Sequence, residues 1–182
     1  MFAVPVSHYT SKVKSKILPV LLTILLLLIP VLPAYAAAST AAAGRLSDFE
    51  NGNLSSQDLS GRALSAAQFA NARLDYTNFS KANLIGAVFS TSTLKGTIFQ
   101  GADLTQAIFD QVRLYDVDWQ DAVLTDAMLL RAELHNVKID GADFTNALLT
   151  PLQVKQLCAT ASGTNSTTGV DTRESLGCPS SF

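Results

Sequence analysis

Counting in fives from Phe49 meets a large apolar residue at every step to Leu149, 21 positions in succession. With about one residue in two apolar, chance would give such a run on the order of once in a million. Two positions before these centres, from Ala67 to Ala147, all 17 residues are Ala, Ser, Thr or Val. A period of five matches neither the 3.6 of a helix nor the 2.0 of a strand, so neither element could turn this pattern toward one core. The chain must instead turn a corner every five residues. It then winds a narrow tube, with each large side chain on the axis and a small companion where no large one fits.

The repeat units Ala82-Asn83-Leu84, Ala102-Asp103-Leu104 and Ala142-Asp143-Phe144 resemble those of the pentapeptide-repeat family. The resemblance implies an all-β fold, a right-handed quadrilateral β-helix with four pentapeptides per coil. The sequence offers its own check, because the centres alternate between aromatic and leucine from Phe69 to Leu124, and a period of ten requires an even number of sides. On four sides, residues 20 apart stack. One aromatic column then holds Phe49, Phe69, Phe89 and Phe109 and an opposing one Phe79, Phe99 and Trp119, with leucine columns on the other two sides. Residues 47–151 make about five coils, a rod about 25 Å long at roughly 4.8 Å per layer. Gly52, Gln57 and Arg62 occupy the small position in the leading repeats, so the first coil is expected to be irregular.

Both ends of a solenoid need polar caps, since open ends polymerise. Thr150-Pro151 reads as the N-cap and first residue of a helix running to about Cys158, with Leu152, Val154 and Leu157 expected over the last coil. At the other end, Lys12, Lys14 and Lys16 precede the apolar run Ile17 to Leu32 and a small-x-small site ending at Ala36. This reads as a secretory signal peptide over 1–36, followed by a lead-in over 37–46. The alternative is an uncleaved anchor, although a run interrupted by Pro19 and Pro30 falls short of the roughly 20 residues that span a bilayer.

Cleavage would leave ten basic and 15 acidic residues, a charge of −5. In an oxidising compartment Cys158 and Cys178 read as a disulfide closing a loop of about 20 residues, contributing about 3 kcal/mol; free thiols or a metal pair are the alternatives. The segment 152–182 is then a helix and a tail tied back to it. From Thr168 to Cys178 that tail resembles the C-terminal extension of pentapeptide-repeat proteins exported to the thylakoid lumen of cyanobacteria and plastids. Signal peptide and cysteines do not separate lumen from periplasm.

Sites of chemistry are scarce. His8 leaves with the signal peptide, and His135 follows Leu134 on an outer face. No nucleophile elbow, phosphate loop or metal-spaced cluster is present. Asp110, Asp116, Asp118, Asp121 and Asp126 cluster in sequence, but successive corners point them in different directions, so they read as solvated turns rather than a calcium site. The full chain has a net charge of −2, which gives no support for a cationic nucleic-acid binder. No catalytic residue, cofactor, metal, small-molecule substrate or membrane contact after cleavage is expected. One surface feature stands out, because Val88, Ile108, Met128 and Leu148 fall 20 apart just before their centres, with Leu130 beside them. Such an outward apolar stripe marks a contact surface for a protein partner or a homodimer, unless a terminal segment of the same chain covers it. The leading expectation is an exported, non-enzymatic scaffold. The alternative resembles the DNA-mimicking pentapeptide proteins that bind a topoisomerase, which export disfavours.

Overall fold

The computed structural model describes residues 48–179. The expected signal peptide (1–36) and lead-in (37–46) lie outside the described residues. Within them, the backbone pairs with itself in parallel at a constant offset of 20. One ladder runs Asp48, Gln68, Val88, Ile108, Met128, Leu148; another runs Asp58, Asn78, Ile98, Asp118, Lys138; a third runs Ala63, Asn83, Asp103, Val123, Asp143. On the remaining side Asn53, Arg73 and Thr93 lead into three short strands, β1 (Thr93–Lys95), β2 (Arg113–Tyr115) and β3 (Glu133–His135). These pair in the order β1-β2-β3, with Leu94, Leu114 and Leu134 in register. Four ladders per 20 residues make a four-sided parallel β-helix.

Each side is too short for an ordinary strand, and the hydrogen bonds show why five residues suffice. The N–H of each centre donates to the following coil, as Phe69 does to Val88 O at 2.7 Å, while the N–H before it donates to the preceding coil, as Val88 does to Ala67 O at 3.0 Å. The chain then turns, closed by bonds such as Ala72 N–H to Phe69 O at 3.0 Å. This turn needs a left-handed residue two places after the centre, and 19 of the 20 such positions from Asn51 to Asn146 have φ between +51° and +71°. Twelve of those 19 are Gly, Asn or Asp, the residues that adopt this conformation at least cost. An Asp or Asn just before the centre adds a second local tie: Asn78, Asp103 and Asp143 each accept from the backbone N–H two residues on. At Asp58, the Ser60 side chain and amide hold the carboxyl below the ordinary carboxylate range.

The tube is filled as a stack. Phe69, Phe79, Phe89, Phe99, Phe109 and Trp119 are fully buried, as are Ala67, Ala87, Ala102 and Ala107 at the small positions. Phe49, Phe69, Phe89 and Phe109 stack face to face with centroids 4.8–5.0 Å apart, and Phe79 stacks on Phe99 at 5.2 Å. The two columns meet edge to face, as in Phe69 against Phe79 at 5.4 Å, a favoured aromatic arrangement. Trp119 lies edge-on to both Phe109 and Phe144. Thr77 and Thr97 fit the small column because each hydroxyl donates to the centre carbonyl of the preceding coil, at 2.9 Å in both cases.

The first coil is regular in its backbone, contrary to expectation. Its rungs and turns form as elsewhere, including Gln57 N–H to Leu54 O at 3.0 Å. What changes is burial: Phe49, Leu54 and Leu59 are only partly buried, while Gln57 and Arg62 are exposed. There the long side chains at the small position are accommodated outside the tube.

At the other end, helix α1 spans Pro151–Cys158 and opens with a capping box between Thr150 and Gln153. Leu152 does not lie over the last coil; it is 74% exposed, whereas Gln153 and Leu157 are buried. The reason lies in the ladder. A further coil would bring the N–H of residue 153 to Ala132 O; instead the Gln153 side-chain nitrogen donates there at 2.8 Å and to Leu129 O at 2.7 Å. Gln156 donates to Leu134 O at 2.7 Å. The open Ala132 carbonyl thus places a polar side chain, Gln153, beside Leu157 on the buried face of α1. Beyond it, buried Asn165 donates to Asp121 O, Ala122 O and Gly141 O, and Ser175 in the short helix α2 (Thr172–Ser175) accepts from Phe144 N–H at 3.0 Å. A Cys158–Cys178 disulfide, Cα to Cα 5.6 Å, joins α1 to the end of this tail.

Arg131 is the one corner from 51 to 146 outside the left-handed region. At Asp126, for comparison, the corner N–H donates to Thr145 O of the next coil at 2.9 Å. For Arg131 the matching acceptor would be Thr150 O, which already accepts from Val154 N–H of α1 at 3.0 Å.

Candidate interaction surface

The ladder that begins at Asp48 carries the apolar stripe. Val88, Ile108, Met128 and Leu148 occupy four consecutive rungs, spanning about 14 Å at roughly 4.8 Å per layer. Val88 and Ile108 are half-buried, whereas Met128 and Leu148 are 40% and 47% exposed. Leu130, 48% exposed, projects from the Met128 rung, since residues on either side of an inward centre both face out. A fork of two hydrogen bonds from Arg131 to Asp110, at 2.5 and 2.7 Å, bounds one margin of the stripe. On the other margin lie the corner residues Gln106 and Asp126, both exposed.

The remaining sides differ in kind. The side of β1 to β3 shows Arg73, Thr93, Arg113 and Glu133, and beside them Tyr115 stacked on His135 with centroids 4.4 Å apart and rings 5° from parallel. Tyr76 lies across Gly96, where any Cβ would come within 2.6 Å of the ring. His135 was expected as a plain surface residue; its stacking partner sits 20 positions earlier, a spacing that the repeat makes readable. Ile98 is an isolated exposed apolar residue on its own side.

The acidic residues are scattered. Asp110 pairs with Arg131, Asp116 accepts from Asn136 at 2.7 Å, Asp118 lies 3.9 Å from Lys138, and Asp121 binds the Ser166 amide and hydroxyl of the tail. Among the described residues, no three His, Cys, Asp or Glu side chains are grouped to hold a metal ion, and no helix is long and apolar enough to cross a membrane.

Residues 62–144 match the family model described as a pentapeptide repeat region. Among solved structures, a pentapeptide repeat protein from the Arabidopsis thaliana thylakoid lumen is 34% identical, over 72% of this chain and 92% of its own, with a TM-score of 0.71. The chain belongs to the pentapeptide-repeat family. The right-handed quadrilateral β-helix that membership implies accounts for the four ladders described above. A pentapeptide repeat protein from the cyanobacterium Cyanothece 51142 is 29% identical, over 57% of this chain and 64% of its own, with a TM-score of 0.27. A full-length plasmid-mediated fluoroquinolone resistance protein is 19% identical, over 57% and 65%, with a TM-score of 0.47. No curated protein matches the sequence.

Proposed function

We propose that this pentapeptide-repeat protein is an exported, non-enzymatic scaffold that uses its apolar stripe to bind protein. The observation that carries the reading is the alignment of Val88, Ile108, Met128 and Leu148 on consecutive rungs of one side, where a rigid backbone holds side chains that water would otherwise solvate poorly. In this reading, residues 1–36 are a signal peptide, 37–46 a lead-in and 47–151 a rod of about five coils. Residues 152–182 close the rod, with the Gln153 side chain taking Ala132 O, the carbonyl that another coil would use, and so discouraging end-to-end growth.

Export to the thylakoid lumen or periplasm is supported by the lumenal origin of the relative that shares 34% identity and by the Cys158–Cys178 disulfide, a bond that persists in oxidising compartments. Fractionation of the host with N-terminal sequencing tests this part. A chain starting near Ala37 in an exported fraction is expected, and Met1 retained in a cytosolic fraction would refute it. For the stripe, an Ile108→Lys, Met128→Glu double variant should keep its circular dichroism spectrum and lose protein association. Undiminished association in pull-downs from that fraction would rule out the stripe as the contact surface.

A further inference from the structure

Resting on the stripe as a contact surface, we infer that it binds a second copy of this chain, docked antiparallel about a two-fold axis that lies in the interface, perpendicular to the rods, midway between the Ile108 and Met128 rungs. The rungs recur once per coil at a fixed register of 20, so this axis sets rung against rung. Val88 meets the partner's Leu148, and Ile108 meets the partner's Met128. Exposure favours this direction. Val88 and Ile108 are half-buried, whereas Met128 and Leu148 are more open to solvent, at 40% and 47% exposure. Antiparallel docking seats the more exposed side chains on half-buried ones twice over; parallel docking would set Met128 on Met128 and Leu148 on Leu148 while leaving Val88 short of contact.

The margins agree in charge and hydrogen bonding. The same axis brings Asp110 of one copy opposite the Leu130-Arg131 corner of the other, so the Arg131 guanidinium, which already holds Asp110 in its own chain at 2.5 and 2.7 Å, also faces the partner's Asp110. Two such corners would set charges of alternating sign around the axis. On the opposite margin Gln106 faces the partner's Asp126, donor to acceptor. No like charges oppose one another across these rungs. An isologous contact of this kind is self-limiting and yields dimers rather than fibres.

Four rungs cover far less than the roughly 800 Å² per partner of a standard interface, so the dimer is weak, with half-association on the order of 0.1 mM. Sedimentation equilibrium of the oxidised protein purified from its host, from about 5 µM to about 1 mM, should show a monomer–dimer equilibrium. Ile108→Lys and Arg131→Asp should each weaken it at least about tenfold with unchanged circular dichroism, and adding Asp110→Arg to the Arg131→Asp variant should restore it. A photo-crosslinker at position 88 should capture the peptide that contains Leu148. A monomer throughout the range, a dimer indifferent to Ile108→Lys, or crosslinks from 88 to 88 would overturn the inference. The wider reading has a separate fate: a monomeric wild type whose capture of another protein is lost in the Ile108→Lys, Met128→Glu variant would retain the stripe as a contact surface and reject only the second copy.

Discussion

At the scale of single residues, inward and outward positions alternate so sharply that neighbours should respond in opposite ways to substitution. Phe99 is fully buried between stacked and edge-on rings, and Phe99→Ala should cost about 3 to 5 kcal/mol for the cavity left. Gln100 is exposed, and Gln100→Ala should stay within about 0.5 kcal/mol. Chemical denaturation of the two variants reads the register directly. Ala102→Leu should also destabilise, because its methyl group has no free surface and a larger one must push coils apart. A third pair tests the end of the rod. Gln153→Ala strips the donor from Leu129 O and Ala132 O and should cost about 1 to 3 kcal/mol, whereas Leu152→Ala should be nearly neutral. The Phe and Ala columns were legible in the sequence because a rigid period of five leaves one choice of inward residue. Leu152 was not. Amphipathic reasoning assigns apolar residues to the buried face of a helix, which holds for Leu157, but beside it α1 meets the open Ala132 O, and there a glutamine outcompetes a leucine.

Among elements, the corners are the simplest and the closing segment the most composite. The left-handed corner leaves a trace in the sequence, the recurrence of Gly, Asn and Asp two places after the centres. The exception at Arg131 leaves no trace in the local pattern, and the occupied Thr150 O does not explain it, since Asn136 and Asn146 stay left-handed without donating to a following coil. Asn165 is similar: its sequence surroundings look like an ordinary polar loop, yet its side chain is buried and serves three carbonyls. Asn165→Ala should therefore open the tail, visible as faster hydrogen exchange over residues 161–178 with the Phe89 to Phe109 coils unchanged. Replacing Cys158 and Cys178 by Ser should lower stability by about 3 kcal/mol, with the loss confined to α1 and the tail. An equal loss of protection throughout the rod would show instead that closing segment and coils unfold as one cooperative unit.

For the molecule as a whole, a solenoid of repeating rungs gives each side its own character, and among the described residues only one side sets apolar residues just before the centres of four successive rungs. That is why the fold and the candidate surface could be read together: residues 20 apart share a column only when four pentapeptides make a coil. The partner could not be read, since an apolar column specifies shape and dryness but no unique complement. This column should be occupied in the native compartment. Met128 reports on it, being the only methionine outside residues 1–36 and 40% exposed. The decisive measurement is the rate at which Met128 is converted to its sulfoxide by a mild oxidant, compared between the intact compartment and dilute purified protein. Rapid oxidation in the purified protein and several-fold protection in the compartment are predicted; equal rates in both would contradict the assignment of the stripe as a contact surface.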